Sequence, residues 1–122
     1  MKSSNIFDSF RYAFAGVAHA FRTQRNMKVH AAIAAAVCVA GVAFGVSHVE
    51  WAVLALTIGL VVQVEIMNTA VEAVVNKASP EAHPLARVAK DCAAGAVVVS
   101  AITAVIVGVI IFLPRIAALA GW

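Results

Sequence analysis

Apolar residues dominate three long stretches of this chain, and the polar residues gather between them. The first stretch runs from Ala31 to Val49, with only Ser47 and His48 as polar residues near its end. The second opens at Trp51, and the third, from Cys92 to Leu113, carries no charge. About twenty apolar residues wound into a helix cross the roughly 30 Å of hydrocarbon in a bilayer. The pattern therefore predicts an all-α membrane protein with transmembrane helices over residues 29–47, 51–75 and 92–113. Ahead of them, Ile6, Phe7, Phe10, Phe14, Val17 and Phe21 fall within an arc of about 100° on a helical wheel. Asp8, Arg11, His19 and Arg22 lie outside that arc. Such a stripe predicts an amphipathic helix over residues 5–24 lying in the membrane interface, rings toward the acyl chains and basic face toward headgroups. Packing of this helix on a soluble core is the weaker reading, because the chain offers no such core.

The joints are equally legible. Thr23 to His30 reads as a polar elbow that brings Gln24, Arg25, Asn26, Lys28 and His30 to the water line, with Lys28 and His30 the most natural interfacial anchors. Gly45, Ser47, His48 and Glu50 form a short turn without obvious chemistry, followed by an interfacial Trp51. In the segment 76–91, Pro80 and Pro84 break one helix and restart the next, after which Arg87, Lys90 and Asp91 share a face.

Composition agrees: of 122 residues, 63% are hydrophobic and 12% charged, which excludes an ordinary soluble domain. The first thirty residues lack the compact apolar core and cleavage site of a signal peptide, so residues 1–122 are read as one membrane domain. The net charge of +3 matters through its placement. Lys2, Arg11, Arg22, Arg25 and Lys28 precede the first span; Lys77, Arg87 and Lys90 lie between the second and third; Arg115 follows the third. The positive-inside rule then puts the N-terminus and the 76–91 segment in the cytosol, and the C-terminus outside. The basic excess is accounted for by orientation and headgroup contact, and no nucleic-acid-reading pattern accompanies it. Cys38 and Cys92, in different parts of this layout, are read as packing residues rather than a disulfide.

One stretch resists an apolar explanation. Glu65-Ile-Met-Asn-Thr-Ala-Val-Glu72 places two carboxylates and an amide inside a span, and on a helix Glu65, Asn68 and Glu72 fall within about 60° of one another. An acid at membrane depth is costly unless paired, metal-bound or wetted. Helix-packing glue or snorkelling accounts for one such residue better than for three on one face. The inner half of this helix, the start of the next (Lys90, Asp91) and the elbow (Gln24, Asn26) together bring carboxylates, amides and a cation to the cytosolic edge. That inventory suits Mg²⁺ and phosphate, since Mg²⁺ takes few protein ligands and keeps waters and phosphates in its shell. Neither a glycine-rich phosphate loop nor a protein-kinase signature set is present.

EIMNTAVEAVV resembles the E-x-x-N-[ST]-A-[IV]-E signature of the small prokaryotic integral-membrane lipid kinases, diacylglycerol kinase and undecaprenol kinase. AKDCAAGAVVVSA resembles their A-K-D-x-x-[SA]-A-V block, and the likeness runs from about Phe7 to Phe112. The form HPLARVAKDCAAGAV is more similar to the undecaprenol kinase branch. The resemblance implies ATP- and Mg²⁺-dependent phosphorylation of a membrane lipid alcohol by a homotrimer whose sites are shared between subunits. It implies Glu65 as general base, Glu72 as Mg²⁺ ligand and Asn68 as support for phosphate and metal. Lys90 and Asp91, with Tyr12 and Arg11 of the surface helix nearby, would hold the nucleotide. Gln24 departs from the pattern, since family members often carry a second metal-coordinating glutamate there. Two other classes bear on the same residues. A small multidrug transporter also hides a membrane glutamate, but needs a fourth span; a non-catalytic membrane subunit is supported by Gln24 alone.

Overall fold

The computed structural model describes residues 5–122, so Lys2 lies outside the described residues. Four helices follow one another among them: α1 (Ile6–Thr23), α2 (Arg25–Phe44), α3 (His48–Ala78) and α4 (Pro84–Leu119). The last three are long and apolar enough to cross a membrane. At 31 and 36 residues, α3 and α4 are ~46 and ~54 Å long. Both exceed the hydrocarbon thickness, so each carries a stretch well beyond it.

Local chemistry sets the ends. Asn5 caps α1, its Oδ1 accepting from the Asp8 N–H at 2.9 Å. Gly45 ends α2 in the left-handed region, at φ 64°, where a side chain would be strained. Ser47 opens α3 with a reciprocal capping box: its hydroxyl accepts from the Glu50 N–H at 3.1 Å, and Glu50 Oε1 accepts from the Ser47 N–H at 2.9 Å. His83 Nδ1 accepts from the Leu85 N–H and Pro84 takes the first helical position, which needs no N–H donor.

Three joints differ from the sequence expectation. At the 45–50 turn, α2 stops at Phe44, short of residue 47, and His48 and Glu50 already lie in the first turn of α3, because Gly45 ends one helix and the Ser47 capping box starts the next. The elbow shrinks to one residue: Gln24 alone is extended (φ −102°, ψ 117°), while Arg25 to His30 already form the first turns of α2. Residues 25–30 contain no proline or glycine to prevent helix, and Ala20 and Met27 are fully buried on either side of Gln24. At the other end, α4 continues past Pro114 to Leu119. A single proline removes one backbone bond, and the Arg115 guanidinium ties this turn down through the Ile111 carbonyl at 2.6 Å and the Glu50 carboxylate.

α3 and α4 pack most extensively, with α2 against α3 and α1 across the α2 and α3 ends. Val46, Leu54 and Ile111 form a small apolar core at the α2–α3 turn, with Val37, Trp51, Val107 and Phe112 packed on it. Most other spanning side chains face outward; only 11%, 17% and 11% of the most apolar windows of α2, α3 and α4 are buried. Along α1, Ile6, Phe7, Phe10, Phe14 and Val17 are exposed and Phe21 is half-buried, so most of its apolar stripe is left uncovered by the other described residues.

Candidate functional site

Away from the apolar core, toward the α1–α2 joint, polar side chains enter the interior alongside Ala20 and Met27. Glu65 is 1% exposed and Asn68 9%, and with Ser100 they are the buried polar residues among those described. Ser100 spends its hydroxyl on the Val97 carbonyl of its own helix. Glu65 and Asn68 have no such resolution. Both carboxylate oxygens of Glu65 lack a hydrogen-bond partner, as does Asn68 Oδ1. A buried polar atom left bare typically costs about 1–3 kcal/mol, so three in two neighbouring turns do not serve the stability of this chain and make a candidate site.

Asn68 touches one of the two acids. Its Nδ2 lies 3.4 Å from Oε1 of half-buried Glu72, a long hydrogen bond one turn along the helix. This orients Glu72 and turns Asn68 Oδ1 away as a bare acceptor. Thr69 donates to the Glu65 backbone carbonyl at 3.0 Å, leaving the Glu65 side chain alone.

The residue that meets Glu65 is His30 of α2, its Nε2 3.7 Å from Glu65 Oε2. That nitrogen also has no hydrogen-bond partner. The sequence pattern, with a span beginning at residue 29 after a polar elbow, makes His30 an interfacial anchor. Once Arg25 begins a helix, His30 falls on its second turn and faces α3. The signal in the sequence was a histidine directly before an uninterrupted apolar run.

Other expected site residues lie apart within one chain. Arg87 Nε bonds both oxygens of Asp91, at 3.1 and 3.3 Å, on an exposed stretch of α4. Half-buried Lys90 lines a cleft of about 790 Å³ with Asn76, Glu81, His83 and Arg87, between the end of α3 and the start of α4. Arg11 lies over the Tyr12 ring, 5.3 Å from its centroid, and pairs with Asp8 at 3.4 Å. Gln24 is half-buried and makes no side-chain cap bond to α2. Among the described residues no group of three or more His, Cys, Asp or Glu side chains could hold a metal. Glu72, the bare Asn68 Oδ1 and the Gln24 amide are nonetheless hard oxygen donors, and a Mg²⁺ ion that keeps water and phosphate in its shell needs few of them. The donor set fits Mg²⁺ on those terms.

A second cleft, of about 270 Å³, runs between α2, α3 and α4. Its walls are Ile33, Val37, Leu54, Val61, Val105 and neighbours, and His30 is its one ionisable lining residue. His30 thus borders both the Glu65 carboxylate and this apolar cleft.

Comparison with known proteins bears on this arrangement. Residues 11–112 match the prokaryotic diacylglycerol kinase family model. The chain is 48% identical over 116 residues to a diacylglycerol kinase of Synechocystis sp., covering 94% of this chain and 66% of that protein. It is 42% identical over 113 residues to undecaprenol kinase of Bacillus subtilis, covering 93% of this chain and 92% of that protein. It thus spans just under two thirds of the first relative and nearly all of the second. The match takes in α2, α3 and most of α1 and α4, and with them Glu65, Asn68, Glu72 and Lys90. The chain belongs to the prokaryotic diacylglycerol kinase family.

Proposed function

We propose that this protein transfers a phosphoryl group from ATP, with Mg²⁺, to the hydroxyl of a membrane lipid alcohol, with undecaprenol preferred over diacylglycerol. The observation that carries the proposal is the buried Glu65 carboxylate with both oxygens bare, 3.7 Å from a histidine, His30, that lines an apolar cleft. A general base must reach its proton through an unoccupied oxygen, and an acceptor lipid must bring its hydroxyl from an apolar side. Glu65 takes the proton of the acceptor hydroxyl. Glu72, positioned by Asn68, would hold Mg²⁺ with Gln24, and the ion would supply charge neutralisation at the phosphates. Lys90, in the cleft at the start of α4, would hold the nucleotide with Asp91, with Arg11 and Tyr12 of α1 nearby. In-line phosphoryl transfer requires chiefly positioning and charge compensation, which this inventory provides.

Several further features belong to the same reading. The outward apolar stripe of α1 supports an interfacial position for that helix. The cations of α1, of the start of α2 and of the 76–91 segment support a cytosolic site, with the C-terminus outside. The scatter of site residues within one chain and the exposed flanks of the spans support a homotrimer with sites completed between subunits. The names of the two relatives divide between the two lipids, so the preference for undecaprenol rests on the HPLARVAKDCAAGAV likeness. Phosphorylation of undecaprenol and diacylglycerol compared in one mixed-micelle assay tests the proposal. ATP- and Mg²⁺-dependent turnover, faster on undecaprenol, is the expected result. Faster turnover of diacylglycerol overturns the preference, and no turnover of either overturns the kinase reading.

A further inference from the structure

We propose that His30 is a positioning residue for Glu65, holding Oε2 of the carboxylate through an Nε2 hydrogen so that Oε1 is left to accept a proton. The proposal rests on the reading of Glu65 as the base in lipid phosphorylation. His30 Nε2 and Glu65 Oε2 stand 3.7 Å apart, with the side chains 17% and 1% exposed. Each is a buried polar atom without another partner. They are complementary: one can donate, and the other accepts. Hydrogen bonds of catalytic groups often tighten only when substrate is in place, so 3.7 Å is within reach of a small side-chain movement. Among the described residues no other donor bonds the carboxylate; the neighbouring Thr69 hydroxyl is spent on the Glu65 carbonyl and the Asn68 amide on Glu72.

The location adds a second reason. His30 lines the apolar cleft between α2, α3 and α4, so the imidazole borders both the carboxylate and the space open to an alcohol's hydrocarbon tail. A carboxylate on a single helix has rotamer freedom. A partner on α2 removes that freedom at the cleft, and a misplacement on the order of 1 Å at a reacting group costs about 10²-fold in rate.

His30→Phe keeps a ring and removes both nitrogens, whereas His30→Gln keeps an amide donor. With both substrates saturating in mixed micelles, His30→Phe is expected to lower kcat by roughly ten- to a hundredfold with the nucleotide KM unchanged. His30→Gln is expected to recover most of that loss. In a Glu65→Gln background, adding His30→Phe should change nothing further, because the group being positioned is gone. An unaltered kcat in His30→Phe, or full additivity with Glu65→Gln, overturns the proposal. Imidazole ¹⁵N NMR gives a readout independent of turnover. The His30 Nε2 resonance is expected to move between the wild-type chain and Glu65→Gln, and a resonance that stays put overturns the contact. Should the wild type phosphorylate neither alcohol while the resonance still responds, the kinase reading fails and the His30–Glu65 contact stands.

Discussion

Glu50 and Arg115, 65 residues apart in sequence, meet in a two-pronged ion pair: Arg115 Nη2 donates to Glu50 Oε1 at 2.7 Å, and Nη1 to Oε2 at 2.8 Å. The same Glu50 oxygen accepts from the Ser47 N–H, so one carboxylate closes the capping box of α3 and clamps the last turns of α4. A planar guanidinium matches a carboxylate in two parallel bonds, which a lysine could not do. Glu50→Gln keeps an acceptor for the cap and removes the ion pair. It is expected to lower the thermal inactivation temperature by a few degrees while leaving the initial rate at room temperature unchanged. Arg115→Lys should behave almost like Arg115→Ala, since the paired geometry is what is lost. Thermal inactivation of purified protein in one detergent, followed by residual turnover, checks both.

Close packing at the same end rests on an absent side chain. A Cβ on Gly41 would lie 2.5 Å from Cη2 and 2.9 Å from Cζ2 of the Trp51 ring, so the indole sits directly on the α2 backbone. Gly41→Val forces the ring off this seat and away from the Val46, Leu54 and Ile111 core. Overpacking of this kind typically costs about 1–3 kcal/mol. Trp122 is exposed at the C-terminus, so Trp122→Phe leaves Trp51 as the sole indole reporter. In that background Gly41→Val should shift the emission of Trp51 and lower the midpoint of thermal unfolding; identical spectra would mean that the ring does not use this seat.

Apolar run length alone made the three long helices legible, because a span needs about twenty apolar residues and little else does. Glu65 and Glu72 were legible for the complementary reason, as charges where charge is expensive. What pattern could not supply was the partner of each polar group. His30 adjoins an apolar run and reads equally well as an anchor at the water line; only the early start of α2 turns it toward Glu65. Arg115 follows a proline after the last apolar stretch and reads as a tail cation, yet the helix continues and carries it to Glu50. Both contacts join residues far apart in sequence, and a periodicity of 3.6 carries no information about which helix lies opposite.

Oligomerisation follows from what one chain leaves uncovered. The spans bury little of their surface, Ala- and Val-rich faces permit close helix approach, and among the described residues no three His, Cys, Asp or Glu side chains gather at a metal site. The protein is expected to run as a trimer by light scattering in mild detergent, with activity confined to that species. Mixing two inactive variants, Glu65→Gln and Glu72→Gln, should restore part of the activity if a site takes these residues from different subunits. A fully active monomer would sink the shared-site arrangement.

The two acids should fail differently. Glu65→Gln preserves shape and removes the base, so turnover should fall by roughly 10²-fold or more with little change in the Mg²⁺ concentration for half-maximal rate. Glu72→Gln should instead weaken Mg²⁺ and nucleotide together, seen as parallel rises in their half-saturation values. Asn68→Ala provides the link, because it removes the hydrogen bond that orients Glu72 and should reproduce a milder form of the Glu72 defect. Equal effects of Glu65→Gln and Glu72→Gln on the Mg²⁺ titration would contradict the division of labour.

Gln24 offers the test with a gain rather than a loss. It is the single extended residue between α1 and α2, half-buried and without a side-chain cap bond, so its amide is not committed to holding the joint together. A neutral amide oxygen binds Mg²⁺ more weakly than a carboxylate, and Glu72 would then be the principal anionic ligand. Gln24→Glu adds a charge without altering length or branching. Where the side chain faces the metal, the added carboxylate should lower the Mg²⁺ requirement and partly offset Glu72→Gln in the double variant. Where it faces headgroups, the Mg²⁺ titration should not move, because an exposed charge more than about a Debye length away is screened at physiological salt. The double variant separates these cases most sharply: recovery of Mg²⁺ affinity in Gln24→Glu/Glu72→Gln requires both side chains to share one ion, and no change in local helix stability reproduces it.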